Sequence, residues 1–279
     1  MTLLLVDIGN TRVKWARLVD GRMGKQHAAA NAGWDAGQYA RRVIGRGWAG
    51  GENRIVVSSV AGSELNQLLV AAARQAGAPA PEFVASERRA AGVTTEYLDP
   101  WRLGVDRFVG AIGAHHLASG QPVCVVNVGT AMTIDLVDGN GLHHGGAIVP
   151  GPALMVDSLL TQTNGIRRRA TGGPGGVTSL FARTTRTAIG QGALYAAAAV
   201  IDRAIEEARA QLGSRPLVLL TGGGSAAIKP LIRNTSVSLP DLVLHGLAVW
   251  ARHNPRQTAS AAGVDADRRQ SSRKSRELD

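Results

Sequence analysis

Leu3-Leu4-Leu5-Val6-Asp7-Ile8-Gly9-Asn10-Thr11 is the stretch on which the fold of this chain turns. The apolar run predicts a buried strand that ends in an acid. The Gly9-Asn10 pair predicts a tight turn, after which Val13, Trp15 and Leu18 resume a strand pattern. The result is a β-hairpin whose turn can present backbone amides and the Thr11 hydroxyl to a phosphate, with Gly9 letting the backbone approach closely. Read alone, the segment is equally an ordinary hairpin in which Asp7 caps a turn. A second copy raises the phosphate reading: residues 123–126 predict a buried strand, Asn127-Val128-Gly129-Thr130-Ala131-Met132-Thr133 follows, and a return strand runs over 133–137. Two facing phosphate hairpins in duplicated halves suit a nucleotide held in a cleft between them.

Working outward, residues 54–60 predict another strand, and Leu65, Leu68, Leu69 and Ala72 recur at helical spacing behind Ser63, a candidate N-cap. In the second half the Asp138-Gly139-Asn140-Gly141 turn leads to a strand ending near Val149. Helices are predicted over 151–160, 185–211 and 242–252, and a strand over 217–220. We expect an N-terminal half over 1–117, a C-terminal half over 118–252 and a basic tail over 253–279. The tail turns to Arg, Ser, Asp, Ala and Gln and has too little apolar surface to offset its ordering entropy.

The totals bound the function class. A chain of 279 residues with 44% hydrophobic content can bury a real core, and its 35 glycines fall in short clusters between apolar runs. The net charge is +10, and much of the Lys/Arg density behind it sits in isolated clusters, notably Arg167-Arg168-Arg169 and the far C-terminus. An anionic small molecule accounts for the sign as well as a nucleic acid would, and no helix-turn-helix or aromatic-basic signature is present. The single cysteine, Cys124, sits in an apolar run and excludes an internal disulfide. The N-terminus lacks a signal-length apolar region and no later run reaches spanning length. The expectation is a cytoplasmic protein with neither membrane nor nucleic acid as partner.

Two further stretches carry candidate chemistry. Thr221-Gly222-Gly223-Gly224-Ser225 follows a strand and can pass close to a nucleoside, although such turns are common in α/β proteins without a ligand. No G-x-x-x-x-G-K-[ST] loop and no G-x-G-x-x-G fingerprint occurs. The stretch Tyr97-Leu98-Asp99-Pro100-Trp101-Arg102-Leu103-Gly104-Val105-Asp106-Arg107-Phe108 joins the halves; Asp106-Arg107 alone reads as an ion pair at a helix N-terminus. His115-His116 and His143-His144 lack the supporting Cys or carboxylate spacing of a zinc site.

Taken in order, D-x-G-N-T at 7–11 with Lys14, Y-x-x-P-x-x-L-G-x-D-R at 97–107, G-T-A-x-T-x-D at 129–135, G-G-x-I-x-P-G at 145–151, T-x-x-A-I-x-x-G at 185–192, T-G-G-G at 221–224 and P-D-L-V-L-x-G-L at 240–247 resemble the type III pantothenate kinases, of the acetate and sugar kinase/actin-like ATPase superfamily. The resemblance implies an α/β fold of two ribonuclease-H-like subdomains with mixed sheets and an interdomain cleft. It implies ATP-dependent phosphorylation of pantothenate, the first step of coenzyme A biosynthesis, by a homodimer. Asp106 would be the general base. Tyr97, Gly104, Val105, Arg107 and Thr185, the last from across the dimer, would hold pantothenate. Asp7, Ile8, Gly9, Asn10, Thr11, Arg12, Val13, Lys14, Gly129, Thr130, Thr133, Gly222 and Gly223 would surround ATP, and Asp7 would hold Mg²⁺ directly or through water. Asn127 departs from the pattern, because relatives carry an acid there associated with a monovalent cation, K⁺ or NH4⁺. An amide can ligate such an ion but brings no charge to it. The alternatives are a sugar kinase of the same superfamily, or a regulatory or nucleic-acid-binding protein that keeps the kinase fold.

Overall fold

The computed structural model describes residues 2–48, 53–170 and 179–255. The predicted tail from 256 onward lies outside them.

The first half runs β1 (Thr2–Ile8), β2 (Arg12–Val19), β3 (Arg22–Met23), β4 (His27–Ala30), α1 (Ala36–Tyr39), β5 (Asn53–Ser59), α2 (Ser63–Gln75) and β6 (Pro81–Phe83). Then come β7 (Arg89–Ala90), β8 (Val93–Thr95), α3 (Val105–Ala118), β9 (Val123–Val128), β10 (Ala131–Val137) and β11 (Leu142–Pro150). The chain continues with α4 (Pro152–Gln162), α5 (Asn164–Arg169), α6 (Thr185–Leu212), β12 (Leu217–Thr221), α7 (Ser225–Ile228), β13 (Val237–Ser238) and α8 (Leu242–His253).

The two sheets repeat one plan. In the first, the order is β3-β2-β1-β5-β6 with β4 also on β2; in the second it is β13-β12-β9-β10-β11-β8-β7. Each has a central strand, β1 or β9, antiparallel to the next strand in the chain and parallel to a later one, β5 or β12. These are the two ribonuclease-H-like halves. Strands β7 and β8, although they lie within residues 1–117, hydrogen-bond into the second sheet.

Central strands covered on both faces read as continuous apolar runs. Leu4, Val6 and Ile8 face Tyr39, Leu69 and Ala72 of the outer helices, while Leu3 and Leu5 face Val243, Leu244 and Leu247 of α8. In the second sheet Val123 and Val125 face α3 and α8, while Cys124, Val126 and Val128 pack on Ala197, Ile201 and Ile205 of α6. The helices α3 and α8 thus fill the space between the sheets. They cross closely at glycines: a Cβ on Gly246 would lie 1.9 Å from the Val109 carbonyl oxygen, and one on Gly113 would lie 2.7 Å from that of Leu242. Buried Arg54 ties α8 to the first sheet, donating to the Ala251 carbonyl at 3.0 Å and pairing with Glu82 at 2.7 Å.

One cap differs from expectation. Gly62, at φ 85°, is the N-cap of α2, and Ser63 is its first helical residue. The left-handed backbone there is open to glycine, so the turn and not a side chain starts the helix. No helix of the described residues is long and apolar enough to cross a membrane.

Candidate active site

Both predicted hairpins form, and they form alike. The Gly9 amide donates to the Arg12 carbonyl at 2.9 Å, and the Gly129 amide donates to that of Ala131 at 3.0 Å. Asn10, Thr11, Arg12, Gly129 and Thr130 are exposed at the two turns. Ile8 and Val13 are fully buried in the core beneath the first turn, so only their backbone faces a ligand.

The strand registers place equivalent side chains in matching rows. Asp7 lies between Lys14 on β2 and Ser58 on β5. Asn127 lies between Thr133 on β10 and Thr221 on β12. Asn127 is therefore the counterpart of Asp7 under the duplication, and the two central strands each end in one such residue.

The third glycine cluster folds onto the second hairpin. The Gly224 amide donates to the Val128 carbonyl at 3.0 Å. A Cβ on Gly222 would lie 2.4 Å from that oxygen and 2.6 Å from Asn127 Oδ1, so only glycine allows the approach. The α4 N-terminus closes the same turn, its Gly151 amide meeting the Thr130 carbonyl at 2.8 Å. Between these pieces lies a cleft of about 610 Å³, lined by Thr11 and Arg12 from the first half and by Gly129, Thr130, Gly223 and Asp157 among others from the second. That volume suits a nucleotide-sized ligand. Asp157, one turn into α4, is a lining residue with no sequence signal beyond its helical position.

Asp106 lies in the first turn of α3. Its Oδ1 accepts the Arg107 backbone N–H at 2.9 Å, and a Cβ on Gly104 would sit 2.8 Å from that oxygen. Gly104 thus leaves the room the carboxylate occupies. Burial raises the Asp106 pKa; the Arg107 amide opposes this and the negative charge of Asp135 adds to it. Asp7, buried at the end of β1, is pushed up to about 6, chiefly by burial, with Lys14 opposing and Asp106 reinforcing. The charge of Asp106 reaches Asp7, so the fold brings within electrostatic range two acids almost a hundred residues apart in sequence. Like charges sharing a partly desolvated site favour a cation beside them. Asp7 and its surroundings therefore fit a divalent ion. Asn127 Oδ1, beside the buried and unpartnered Thr221 hydroxyl, offers neutral oxygens only.

Arg107 is buried and largely committed. Its Nη2 pairs with Asp135 Oδ1 at 2.6 Å, its Nε lies 3.0 Å from Asp135 Oδ2, and its Nη1 donates to the Tyr97 hydroxyl at 2.7 Å. One N–H on each terminal nitrogen is left over, since a guanidinium has five. Burial works against the Arg107 charge, but the Asp135 hydrogen bonds and charge outweigh it and raise its pKa. Tyr97 is half-buried with the Arg107 guanidinium 5.5 Å from its ring centroid. Gly104 and Val105 immediately precede Asp106. Thr185 begins α6 beyond α4, and among the described residues no hydrogen bond joins it to Tyr97, Asp106 or Arg107.

Sequence reasoning did not single out Asp135, Thr95 and His143. Asp135 closes the G-T-A-x-T-x-D motif, and that was its available signal. His143, which lacks the spacing of a zinc ligand, is fully buried against Asp135. Its neighbour His144 instead meets Glu96 at 3.0 Å on the rim.

Comparison with known proteins agrees with this arrangement. The family model described as type III pantothenate kinase matches residues 3–207. A type III pantothenate kinase of Nitrosococcus oceani is 36% identical over 256 residues, covering 90% of this chain and 94% of that protein. One of Herminiimonas arsenicoxydans is 38% identical over 258 residues, covering 90% and 98%. Among solved structures, a conserved Campylobacter jejuni protein assigned to the Baf family of transcriptional activators superposes with a TM-score of 0.56 at 19% identity, over 90% of this chain and 98% of that one, a likeness of fold. With its family model spanning both hairpins and the Asp106-Arg107 pair, this chain belongs to the type III pantothenate kinase family.

Proposed function

We propose that this chain transfers the γ-phosphoryl group of ATP to the primary hydroxyl of pantothenate, giving 4'-phosphopantothenate in the first step of coenzyme A synthesis. The observation that carries the reading is a cleft walled by all three glycine turns, with Asp7 at the base of the first turn and within electrostatic range of Asp106.

Phosphoryl transfer asks little covalent chemistry of the protein and much positioning and charge stabilisation. The amides around Gly9, Asn10, Thr11, Gly129 and Thr130, with the Thr133 hydroxyl, surround the phosphates, and Gly222 and Gly223 pass the nucleoside. Lys14 and Arg12 bring positive charge to the same side. Asp7 would hold Mg²⁺, which when bound would supply positive charge to offset that of the phosphates. Asp106 accepts the proton of the attacking hydroxyl. Burial raises its pKa, which makes it a stronger proton acceptor than an ordinary carboxylate. Tyr97, the Gly104–Val105 backbone and the remaining Arg107 N–H groups hold the acceptor beside it.

The homodimer belongs to the proposal, with Thr185 reaching the partner's acceptor pocket. Its support is unburied apolar surface: α4 has no buried residue, its Leu154 and Leu159 are exposed, and so is Ile148 on the strand that leads into it. A cytoplasmic location suits the use of ATP and a chain whose single cysteine, Cys124, cannot form an internal disulfide. A monovalent cation at Asn127 would be held by dipoles alone.

The deciding assay is ADP release by the purified chain with pantothenate, against a panel of sugars under the same conditions. Turnover on a sugar and none on pantothenate would overturn the reading.

A further inference from the structure

We propose that His143 is a positioning residue for the acceptor side of the site, closing a buried hydrogen-bonded ring that begins and ends on Tyr97. The proposal rests on the reading of Tyr97 and Arg107 as the acceptor pocket.

The ring can be followed atom by atom. The Tyr97 amide donates to Thr95 Oγ1 at 3.2 Å, and Thr95 Oγ1 lies 2.9 Å from His143 Nδ1. His143 Nε2 lies 2.9 Å from Asp135 Oδ1, which also accepts from Arg107 Nη2 at 2.6 Å. Arg107 Nη1 then donates to the Tyr97 hydroxyl at 2.7 Å. One protonation pattern satisfies every member: a neutral imidazole with its proton on Nε2 donates to Asp135 and accepts at Nδ1 from the Thr95 hydroxyl. Thr95, Asp135 and His143 are each 2% exposed or less, so no solvent replaces a broken link. The tyrosine and imidazole rings also stack, 6.1 Å between centroids at 23°.

The backbone is arranged for this contact. Thr95 and His143 are register partners across β8 and β11. Between β10 and β11 the register shifts, from Asp135 opposite Gly146 to Val137 opposite His143. This irregularity places an extra residue on β11, the kind of bulge that re-aims a side chain next to an active site. Gly146 completes the fit: a Cβ there would lie 2.8 Å from Asp135 Oδ1 and 2.9 Å from Arg107 Nη2. His143 thereby supplies the donor that, with Arg107, fixes the Asp135 carboxylate; Asp135 fixes Arg107; and Arg107 fixes the Tyr97 hydroxyl. None of these links reaches the glycine turns of the nucleotide cleft.

The test separates the two sides of the site. His143→Phe keeps the ring shape and removes both polar contacts, whereas His143→Gln keeps a donor and an acceptor. Thr95→Val breaks the ring one link away. In steady-state kinetics, His143→Phe should raise KM for pantothenate about tenfold while KM for ATP stays within about twofold, and His143→Gln should recover most of the loss. Thr95→Val should act in the same direction, and the double variant should be scarcely worse than the poorer single one, because a ring already open is not opened again. Calorimetric binding of pantothenate to each protein gives the same comparison without turnover. A His143→Phe protein with parental KM, an equal rise in KM for ATP, or full additivity would overturn the proposal. Should that variant not fold, parental kinetics in Thr95→Val would overturn it instead. A parent chain that neither binds nor phosphorylates pantothenate would remove the functional reading and the proposal with it, an outcome distinct from a normal parent with a silent His143→Phe.

Discussion

Asp7→Asn should make the protein more stable and nearly inactive, and the size of the first effect follows from the burial of Asp7. Its carboxyl titrates at about 6 in the folded chain against an ordinary 3.8, because burial outweighs the help of Lys14. Between those two values the folded chain holds a proton that the unfolded chain has released. Stability therefore declines as pH rises through this window and stays at the lower level above about 6. The rise is worth about 3 kcal/mol at about 1.4 kcal/mol per pH unit. Asparagine keeps the shape without the charge and abolishes this cost. In magnesium-free buffer with a chelator, the variant should exceed the parent by about 3 kcal/mol at pH 8, roughly 5–10 °C in Tm. The difference should vanish near pH 4, where Asp7 is protonated in the parent as well. Added Mg²⁺ should stabilise the parent and not the variant, since a ligand that binds only the folded state stabilises it. Denaturant melts from pH 4 to pH 8, with and without Mg²⁺, supply the measurement. Parallel pH curves for the two proteins would refute the idea that Asp7 is held as a strained charge awaiting a cation.

Asp106→Asn should lower kcat by about 10² to 10⁴ fold with ATP binding nearly intact, the usual contribution of a general base, as single-turnover kinetics and nucleotide calorimetry would report. Near-normal turnover at neutral pH would remove it from that role. Asn127→Asp should create or strengthen activation by potassium, read as initial rate against potassium at constant ionic strength. A strong, saturable potassium requirement in the parent would show that neutral oxygens suffice there. Gly246→Ala should destabilise by about 3 kcal/mol, because its Cβ would lie 1.9 Å from the Val109 carbonyl and α3 and α8 cannot separate without opening both cores. Melts of that variant matching the parent would show that the crossing yields.

What the chain by itself determined was largely local. The buried runs of β1 and β9, the Gly9-Asn10 and Gly129-Thr130 turns, and the helical periods of α6 and α8 are set by short-range patterns of apolar, small and turn residues, and the structure has them where those patterns lie. The repeated hairpin is enough to foresee duplicated halves with a cleft between them, and the motif around Asp106 makes that residue a candidate for the chemistry. Long-range pairing decided the rest. Nothing near residues 89–95 announces that β7 and β8 join the second sheet, because a strand's partner is chosen by distant register and not by its own sequence. The approach of Asp7 to Asp106 arises only when α3 packs between the sheets. The ring through Thr95, His143, Asp135 and Arg107 draws on three strands and a helix, and depends on a register shift with no short sequence signature. A histidine in a sequence can be read as ligand, base or filler. Which atoms face its two nitrogens is settled by tertiary packing alone, since each partner is brought there by a different element.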